Sequence, residues 1–538
     1  MLNNIKKYNK SMGAVGLMAM LLLGTGSCTD HFDELNTPDN VIAADNLDGA
    51  LLGQAFAQTQ WNAIAGDRYQ VGQNLFADIY AQYFATTKNN FWSDMFEENP
   101  RWGDWWYEEF YGETAPQIYF VEQFTAENNM PVQNAVAKVW KVWMYHRVTD
   151  YYGPIIYSEF GSKKTSVPFD SQEEVYRDFF KTLDEAVAVL KQNTSANAFG
   201  SNDQVYSGDV AKWLTFANSL RLRLAMRVVY ADENLAKTEA EKAVADGVMM
   251  TNEDNAGVLA TTKSINNLSR WTYLNEFRMS ASMESTLKGW NDPRLSEYFN
   301  EAGGRLGGNG GYHGIRNGLT AEDRSGTINE DHSFVDDRWL PYADGGGGAT
   351  TPSAVMYAAE VYFLRAEGAL RGWEMGGTAQ ELYNEGIRTS IAQWSSATPA
   401  EVEAYINSTA TPVPTEDKFN SPAMTNIPVL YQEGADFETR LEQIITQKWL
   451  AVYPDGREAW AERRRTGYPR GYAVMALRPA ATVARDELMR RLRFSRVENL
   501  NNAAAVEEAI QLLGGPDVHN TRLWWDAKPL NQFPTPTD

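Results

Sequence analysis

The chain holds one cysteine, Cys28, in 538 residues. No internal disulfide can form, so the fold must rest on its core, and a chain this long can bury a large one. Histidine is scarce too: His31, His146, His313, His332 and His519 are the full set, and no two stand at metal-ligand spacing. There is no His-Glu-x-x-His, no Gly-x-Ser-x-Gly and no Gly-rich phosphate loop ending in Lys, so the familiar metalloprotease, hydrolase and nucleotide signatures are missing. Catalytic residues, a metal and a cofactor are therefore not expected. Positive charge is in short supply, with 48 Lys and Arg against 70 Asp and Glu and a formal charge of −22. That balance argues against nucleic acid and against polybasic docking on anionic lipid. No apolar run reaches the ~20 residues a membrane-spanning helix needs.

What is present begins at the amino end. Lys6, Lys7 and Lys10 precede the apolar run Met12-Gly-Ala-Val-Gly-Leu-Met-Ala-Met-Leu-Leu-Leu23, and Gly24-Thr-Gly-Ser27 leads to Cys28. A basic flank, a short apolar core and a small-residue exit make a secretory signal over 1–27. Small residues directly before a cysteine resemble the lipobox of bacterial lipoproteins, with Thr25 where Leu or Val is usual. That implies acylation of Cys28 and attachment to a membrane through its lipid; the plainer alternative is an ordinary signal that leaves Cys28 as a free thiol. Residues 28–40 read as a tether: the twelve after Cys28 are polar and acidic and reach at most about 40 Å if fully extended. An acidic run after the acylated cysteine resembles the signal that sends some Gram-negative lipoproteins to the outer face of the outer membrane.

Residues 41–538 read as a single body dominated by helical periodicity. Ser171-Gln-Glu-Glu174 is a capping box, followed by Val175, Phe179, Leu183, Ala186 and Leu190 at the spacing of one helix face. Asp209 opens a helix with Trp213, Ala217, Leu220, Leu224 and Val228 on one stripe. Thr351-Pro352 reads as a cap with Pro at the first helical position, opening a helix that runs through Tyr357, Val361 and Leu364 to Gly372. Tyr383, Ile387, Ile391 and Trp394 mark its neighbour, and Phe437 to Val452 and Asp455 to Trp460 form another pair. Consecutive amphipathic helices joined by short Gly or Pro breaks predict an all-α, tetratricopeptide-like stack of hairpins. Long irregular insertions interrupt it at 89–112, 302–348 and 397–432, where binding residues tend to sit.

Aromatics exceed what a core requires, with 17 Trp, 26 Tyr and 23 Phe. A pyranose presents C–H bonds on one face, which the negative face of an aromatic ring attracts. Its hydroxyls seek amide, carboxylate or guanidinium partners. Two insertions offer that mixture: Asn89, Phe91, Trp92, Arg101 and Trp102 in the first, Tyr312, Asp337, Arg338, Trp339 and Tyr342 in the second. Trp92, Tyr312 and Trp339 suit a binding face or the core equally. Trp105, Trp106, Phe110 and Tyr111, spaced like a helix face, are expected in the core. Adjacent carboxylates such as Glu97-Glu98, Glu108-Glu109 and Asp336-Asp337 are read as solvated rather than as a glycosidase pair.

Several segments together resemble the SusD/RagB outer-membrane lipoproteins. They are Asp150-Tyr-Tyr-Gly-Pro-Ile-Ile-Tyr-Ser158, Pro168 to Tyr176, Lys212-Trp-Leu-Thr-Phe-Ala-Asn-Ser-Leu-Arg-Leu-Arg-Leu-Ala-Met-Arg227 and Asp292-Pro-Arg-Leu295. Met356 to Glu367, Ile445-Thr-Gln-Lys-Trp449, Glu458 to Pro469 and Thr521-Arg-Leu-Trp-Trp-Asp526 continue the series, and the tether carries Phe32-Asp-Glu-Leu-Asn36. The resemblance implies a helical-repeat surface lipoprotein that binds nutrient, usually glycan, as a lid on a SusC-like TonB-dependent transporter. A peptide or other non-sugar nutrient is the alternative ligand, and a lid without ligand affinity of its own is a further reading.

Overall fold

The computed structural model describes residues 49–64, 66–162, 164, 166–303, 310–324, 326–341 and 346–538. The expected signal, the tether, Cys28 and Tyr342 lie outside them. Helix α1 (Gly49–Ala63) leads to a π-helical turn, Gln70–Asn74, then α2 (Ala77–Tyr80) and the three-residue strand β1 (Phe84–Thr86). Helix α3 (Pro100–Glu109) starts where the Asn99 side chain accepts from the Arg101 N–H, with Pro100 supplying a preset φ and no wasted donor. A second π-helical turn, Phe110–Thr114, joins it to α4 (Ala115–Glu127).

The helical stack follows. Helix α5 (Pro131–Tyr152) packs against α4 and α6 (Gln172–Lys191), and α6 against α7 (Val210–Arg227), which pairs with α8 (Glu233–Asp246). The capping box read at Ser171 forms in full: its hydroxyl accepts from Glu174 N–H and the Glu174 carboxylate caps Ser171 in return. Asp209 caps α7 by accepting from Lys212 N–H. The stripes face inward, leaving Val175, Phe179, Leu183, Trp213, Leu220 and Leu224 without solvent exposure.

The central insertion carries strand β2 (Ala256–Val258), α9 (Asn267–Trp271), strand β3 (Phe277–Met279), α10 (Ala281–Gly289) and α11 (Leu295–Tyr298). Strand β3 pairs antiparallel with β1, Thr86 opposite Phe277. Strand β4 (Ser353–Met356) pairs antiparallel with β2. Here the structure corrects the sequence reading: Thr351-Pro352 precedes a strand, and α12 (Ala358–Leu370) starts only afterwards. Its first turn is capped from a distance, because Tyr357 has no capping side chain and the Ala358 N–H donates to Asn255 Oδ1 (2.7 Å) instead.

Helix α13 (Ala379–Trp394) pairs with α12, and α14 (Pro399–Ile406), α15 (Phe437–Ala451) and α16 (Gly456–Thr466) follow. The last two were expected as a hairpin. Instead α15 lies mainly on α12, and α16 lies on α2. Helices α17 (Arg496–Asn501) and α18 (Ala503–Leu513) end the order. From Gly53 to Asp538 the chain clusters as one compact unit.

Charged side chains join what apolar stripes alone do not. Arg223 of α7 meets Glu360 of α12 at 2.6 Å, and Arg227 meets Glu458 of α16 at 2.5 Å. Lys448 of α15 sits 3.0 Å from Glu458, and Arg465 holds Glu367 of α12 and Glu462 at 2.6 Å each. All are buried. Burial opposes ionisation of Glu458, yet Arg227, Lys448 and Arg223 outweigh it and hold the carboxyl well below its ordinary range. The Glu367 carboxyl is held at about 2, because Arg465 and Arg371 likewise outweigh its desolvation. This network links α7, α12, α15 and α16, so the arginines and glutamates of the family-like segments brace the scaffold.

Candidate functional site

Pairing of β1 with β3 brings two loops side by side. Past Thr86, the Thr87 N–H donates to the Glu276 carbonyl (2.9 Å) and its hydroxyl to the Asn275 carbonyl (2.7 Å). Asn275 turns the chain at φ +51°, a left-handed conformation that Asn tolerates better than most residues. The Gln70 amide, from the first π-helical turn, donates to the Glu276 carboxylate. The loop 87–92, the π-turn and the segment 270–276 thus share one face.

Helix α3 joins them. Phe91 packs edge-on against Trp102 at 5.3 Å, and Trp102 packs on Phe76 at 6.2 Å. Farther along α3 the Arg101 guanidinium lies 4.6 Å from the centre of the Trp105 ring, with Arg68 at 5.8 Å from the same ring. Arg68 also pairs with Glu109 at 3.5 Å. Gly66 stands between this group and Trp61: a Cβ there would fall 3.1 Å from Glu109 Oε1 and 3.8 Å from Trp61 Nε1. Arg270 then lies 5.8 Å from the Trp61 ring. The segment bearing Arg270, Trp271 and Tyr273 is fixed by Asn267, whose amide donates to the Ile64 carbonyl (2.7 Å), and by Asn266, which caps Leu268 N–H.

The result is an aromatic platform: half-buried Trp61, Trp105 and Trp271, and Tyr273 with 61% of its surface exposed. Arg68 and Arg101 lie over the Trp105 ring and Arg270 over the Trp61 ring, with Gln70, Glu109 and Glu276 as acceptors and donors. Guanidinium groups thus cover part of the Trp105 and Trp61 faces, and the remaining ring surface, with planar polar partners around it, is what a ligand could meet. Burial pushes the Glu109 carboxyl up to about 8, with Glu113 adding to it and Arg68 opposing. Among the described residues, no group of three or more His, Cys, Asp and Glu is placed to hold a metal ion.

The residues expected from sequence divide. Arg101 and Trp102 lie on α3 with the platform, and Asn89 is exposed on the loop beside it. Trp92 is half-buried, and one ring face is taken by Arg478 at 4.6 Å. Phe91 is a correction: it is 6% exposed and wedges Trp102. The second group sits on other elements. Trp339 is the larger correction, with no exposed surface, enclosed by Tyr298, Trp394 and Tyr453 at ring distances of 6.2, 5.5 and 5.2 Å. The glycine-rich turn behind it packs tightly, since a Cβ at Gly346 would lie 2.4 Å from Leu340 Cβ. Arg338 is engaged by Asp336 and Glu297. Asp337 is exposed and accepts from Asn300 (3.0 Å), and Tyr312 is half-buried next to His313. Trp105, expected in the core, is instead a platform ring, whereas Trp106 and Phe110 are buried as expected.

Two acids beneath this region give a pH test. Burial raises the Asp78 carboxyl to about 7 against the hydrogen bonds it accepts from Gln73, Asn74 and Tyr69. Burial likewise raises Glu98 to about 7 against the pull of Arg493, and Glu98 lies 3.7 Å from buried His519. A carboxyl whose folded-state pKa exceeds its unfolded value destabilises the fold as it ionises. Stability from both groups is therefore expected to rise as pH falls from about 7 toward their ordinary values near 4. Asp78→Asn should flatten that part of the profile in denaturant titrations across pH; an unchanged slope would contradict the assignment.

Comparison with known proteins follows the same lines. Residues 34–526 match the family model SusD-like, described as SusD and RagB outer-membrane lipoprotein. A chitin-binding SusD homologue from Flavobacterium johnsoniae superposes with a TM-score of 0.82 at 36% identity, covering 89% of this chain and 99% of that one. SusD homologues from Bacteroides uniformis (35% identity, TM-score 0.79, 90% and 100% covered) and Bacteroides vulgatus (32%, 0.80, 88% and 98%) are similar. A search of curated proteins gives no match. With a family model across nearly the whole chain and this fold in common, the chain belongs to the SusD/RagB family of nutrient-binding outer-membrane lipoproteins.

Proposed function

We propose that this protein captures oligosaccharide at the cell surface, without catalysis, on the platform of Trp61, Trp105, Trp271 and Tyr273. It is anchored through lipid on Cys28 after removal of 1–27, and residues 28–40 tether it. The folded body acts as a lid on a SusC-like TonB-dependent transporter, which supplies the barrel and the energy coupling. The observation that carries the reading is the platform itself: exposed Tyr273 and three half-buried tryptophans, with guanidinium and carboxyl groups around them, on loops braced by a helical scaffold. Family membership supports the outer-membrane location, and among the described residues no helix is long and apolar enough to cross a membrane. The Flavobacterium relative binds chitin, which makes N-acetylglucosamine oligomers the first ligands to try.

Native affinity gels containing chitin-type, cellulose-type and starch-type polymers test the binding. Protein starting after Cys28 should be retarded by at least one polymer, and uniform mobility in all of them would overturn the reading. Pull-down from outer membranes should return a β-barrel transporter, and its absence would overturn the partnership. Calorimetric heat with peptides and none with glycans would select the alternative nutrient.

A further inference from the structure

A cleft of about 540 Å³ opens between α4, α5, α6 and the loop after Tyr157, and no platform residue lines it. We propose that this cleft is a second saccharide-binding site, taking one or two units of a neutral oligosaccharide; it rests on the reading that the ligand is a glycan. Its volume falls within the roughly 300–1,000 Å³ of small-ligand pockets.

The walls are aromatic and seated. Tyr119 of α4 is 38% exposed, and Phe160 meets it edge-on at 5.8 Å. The Tyr119 ring rests on Gly161, where a Cβ would come within 2.7 Å of Tyr119 Cζ. Gly161 also holds φ +81°, so two independent constraints require glycine there. Tyr145 and Tyr157 line the cleft, edge-on to each other at 5.0 Å.

The polar groups are also fixed before any ligand arrives. Lys138 and Lys141, one turn apart on α5, bind Glu185 and Glu122 at 2.8 Å each. The Lys141 ammonium further lies 5.2 Å from the Tyr157 ring centre, and the Tyr157 hydroxyl donates to Asp178 (2.7 Å). In both lysine pairs the carboxylate is engaged through Oε2, leaving the other oxygen for a sugar hydroxyl, while each ammonium keeps further protons to donate. Charges cancel within these pairs, while Asp170, Glu174 and Asp178 outnumber Lys181 among the other lining residues, which disfavours an anionic ligand, and side chains already held lose little freedom on binding. Two sites on one protein that engage the same polymer raise its apparent affinity without new contacts at either.

Calorimetry with short oligomers of β-1,4-N-acetylglucosamine, β-1,4-glucose and α-1,4-glucose separates the possibilities. The mature chain, Tyr119→Ala, the platform variant Trp271→Ala/Tyr273→Ala, and the combination are compared, each checked for an unchanged unfolding midpoint. The platform variant should still bind, at one site per chain, an oligomer that the unaltered protein binds. In the combination, Tyr119→Ala should weaken that residual site by roughly 2- to 10-fold, the value of one stacked ring. Glu122→Gln, which keeps the side-chain shape, serves if Tyr119→Ala misfolds and should weaken the same site. A platform variant silent toward an oligomer that the unaltered protein binds overturns the second site and leaves the proposed function standing. An unaffected platform variant with a silent Tyr119→Ala removes the platform and keeps the cleft. An unaltered protein that binds none of the sugars overturns both.

Discussion

Arg227→Ala is expected to lower folding stability by about 3–5 kcal/mol, the cost of removing one partner from a buried ion pair. The guanidinium touches Glu458 at 2.5 Å and lies 3.6 and 3.5 Å from Asp150 and Glu462. Its loss leaves three carboxylates short of a counter-charge in a region that water does not reach. Against a typical total of ~5–15 kcal/mol, that is a large fraction, and denaturant titration of the variant should show it directly. A loss under about 1 kcal/mol, the range of exposed pairs, would mean that the network is hydrated. The same network sets an acid limit. Glu367 and Glu458 are held below their unfolded value, so their stabilisation is complete above pH 4.5 and is lost as pH falls through their folded values, about 2 for Glu367. Glu458→Gln should reduce that acid sensitivity while costing stability at neutral pH.

The second large effect concerns binding. Trp271→Ala with Tyr273→Ala removes two platform rings. At ~0.5–1.5 kcal/mol for each stack, affinity for the preferred glycan should fall by roughly 5- to 150-fold. Trp339→Ala is the contrast. That ring has no exposed face, so its truncation should cost about 3–5 kcal/mol of stability and leave glycan affinity of the folded protein nearly unchanged. Affinity lost through Trp339 but kept without Trp271 and Tyr273 would reverse the assignment of the two tryptophans.

That contrast also shows where sequence reasoning reaches and where it stops. Capping boxes and apolar stripes are local, so the helices at Ser171 and Asp209 could be read from a few residues each. Strand β4 is four residues long and its partner β2 lies about a hundred residues earlier, so Thr351-Pro352 looked like a helix start. The arginines of α7 and the glutamates of α16 showed no partners in sequence, because the pairs that bury them join distant helices.

Exposure is decided by the same long-range packing. The chain contains Arg101-Trp102, Arg270-Trp271 and Arg338-Trp339, three identical dipeptides. Tyr298, Trp394, Tyr453 and a glycine turn seal the third, Phe91 wedges the first, and the second stays half-open beside Tyr273. Trp61 was missed because it ends a helix, where a ring ordinarily packs inward, and only Gly66 and Arg270 at its edge mark it as part of a surface. The signal that could have found Tyr273 is the run of rings in a segment bounded by the capping Asn266 and the left-handed Asn275.

Titration of the mature protein with a glycan panel, beside the Trp271→Ala/Tyr273→Ala variant, tests the account most directly. Saturable heat with at least one oligosaccharide, sharply weakened in the variant, is the expected result. Equal heat from both proteins, or none from either, would contradict it.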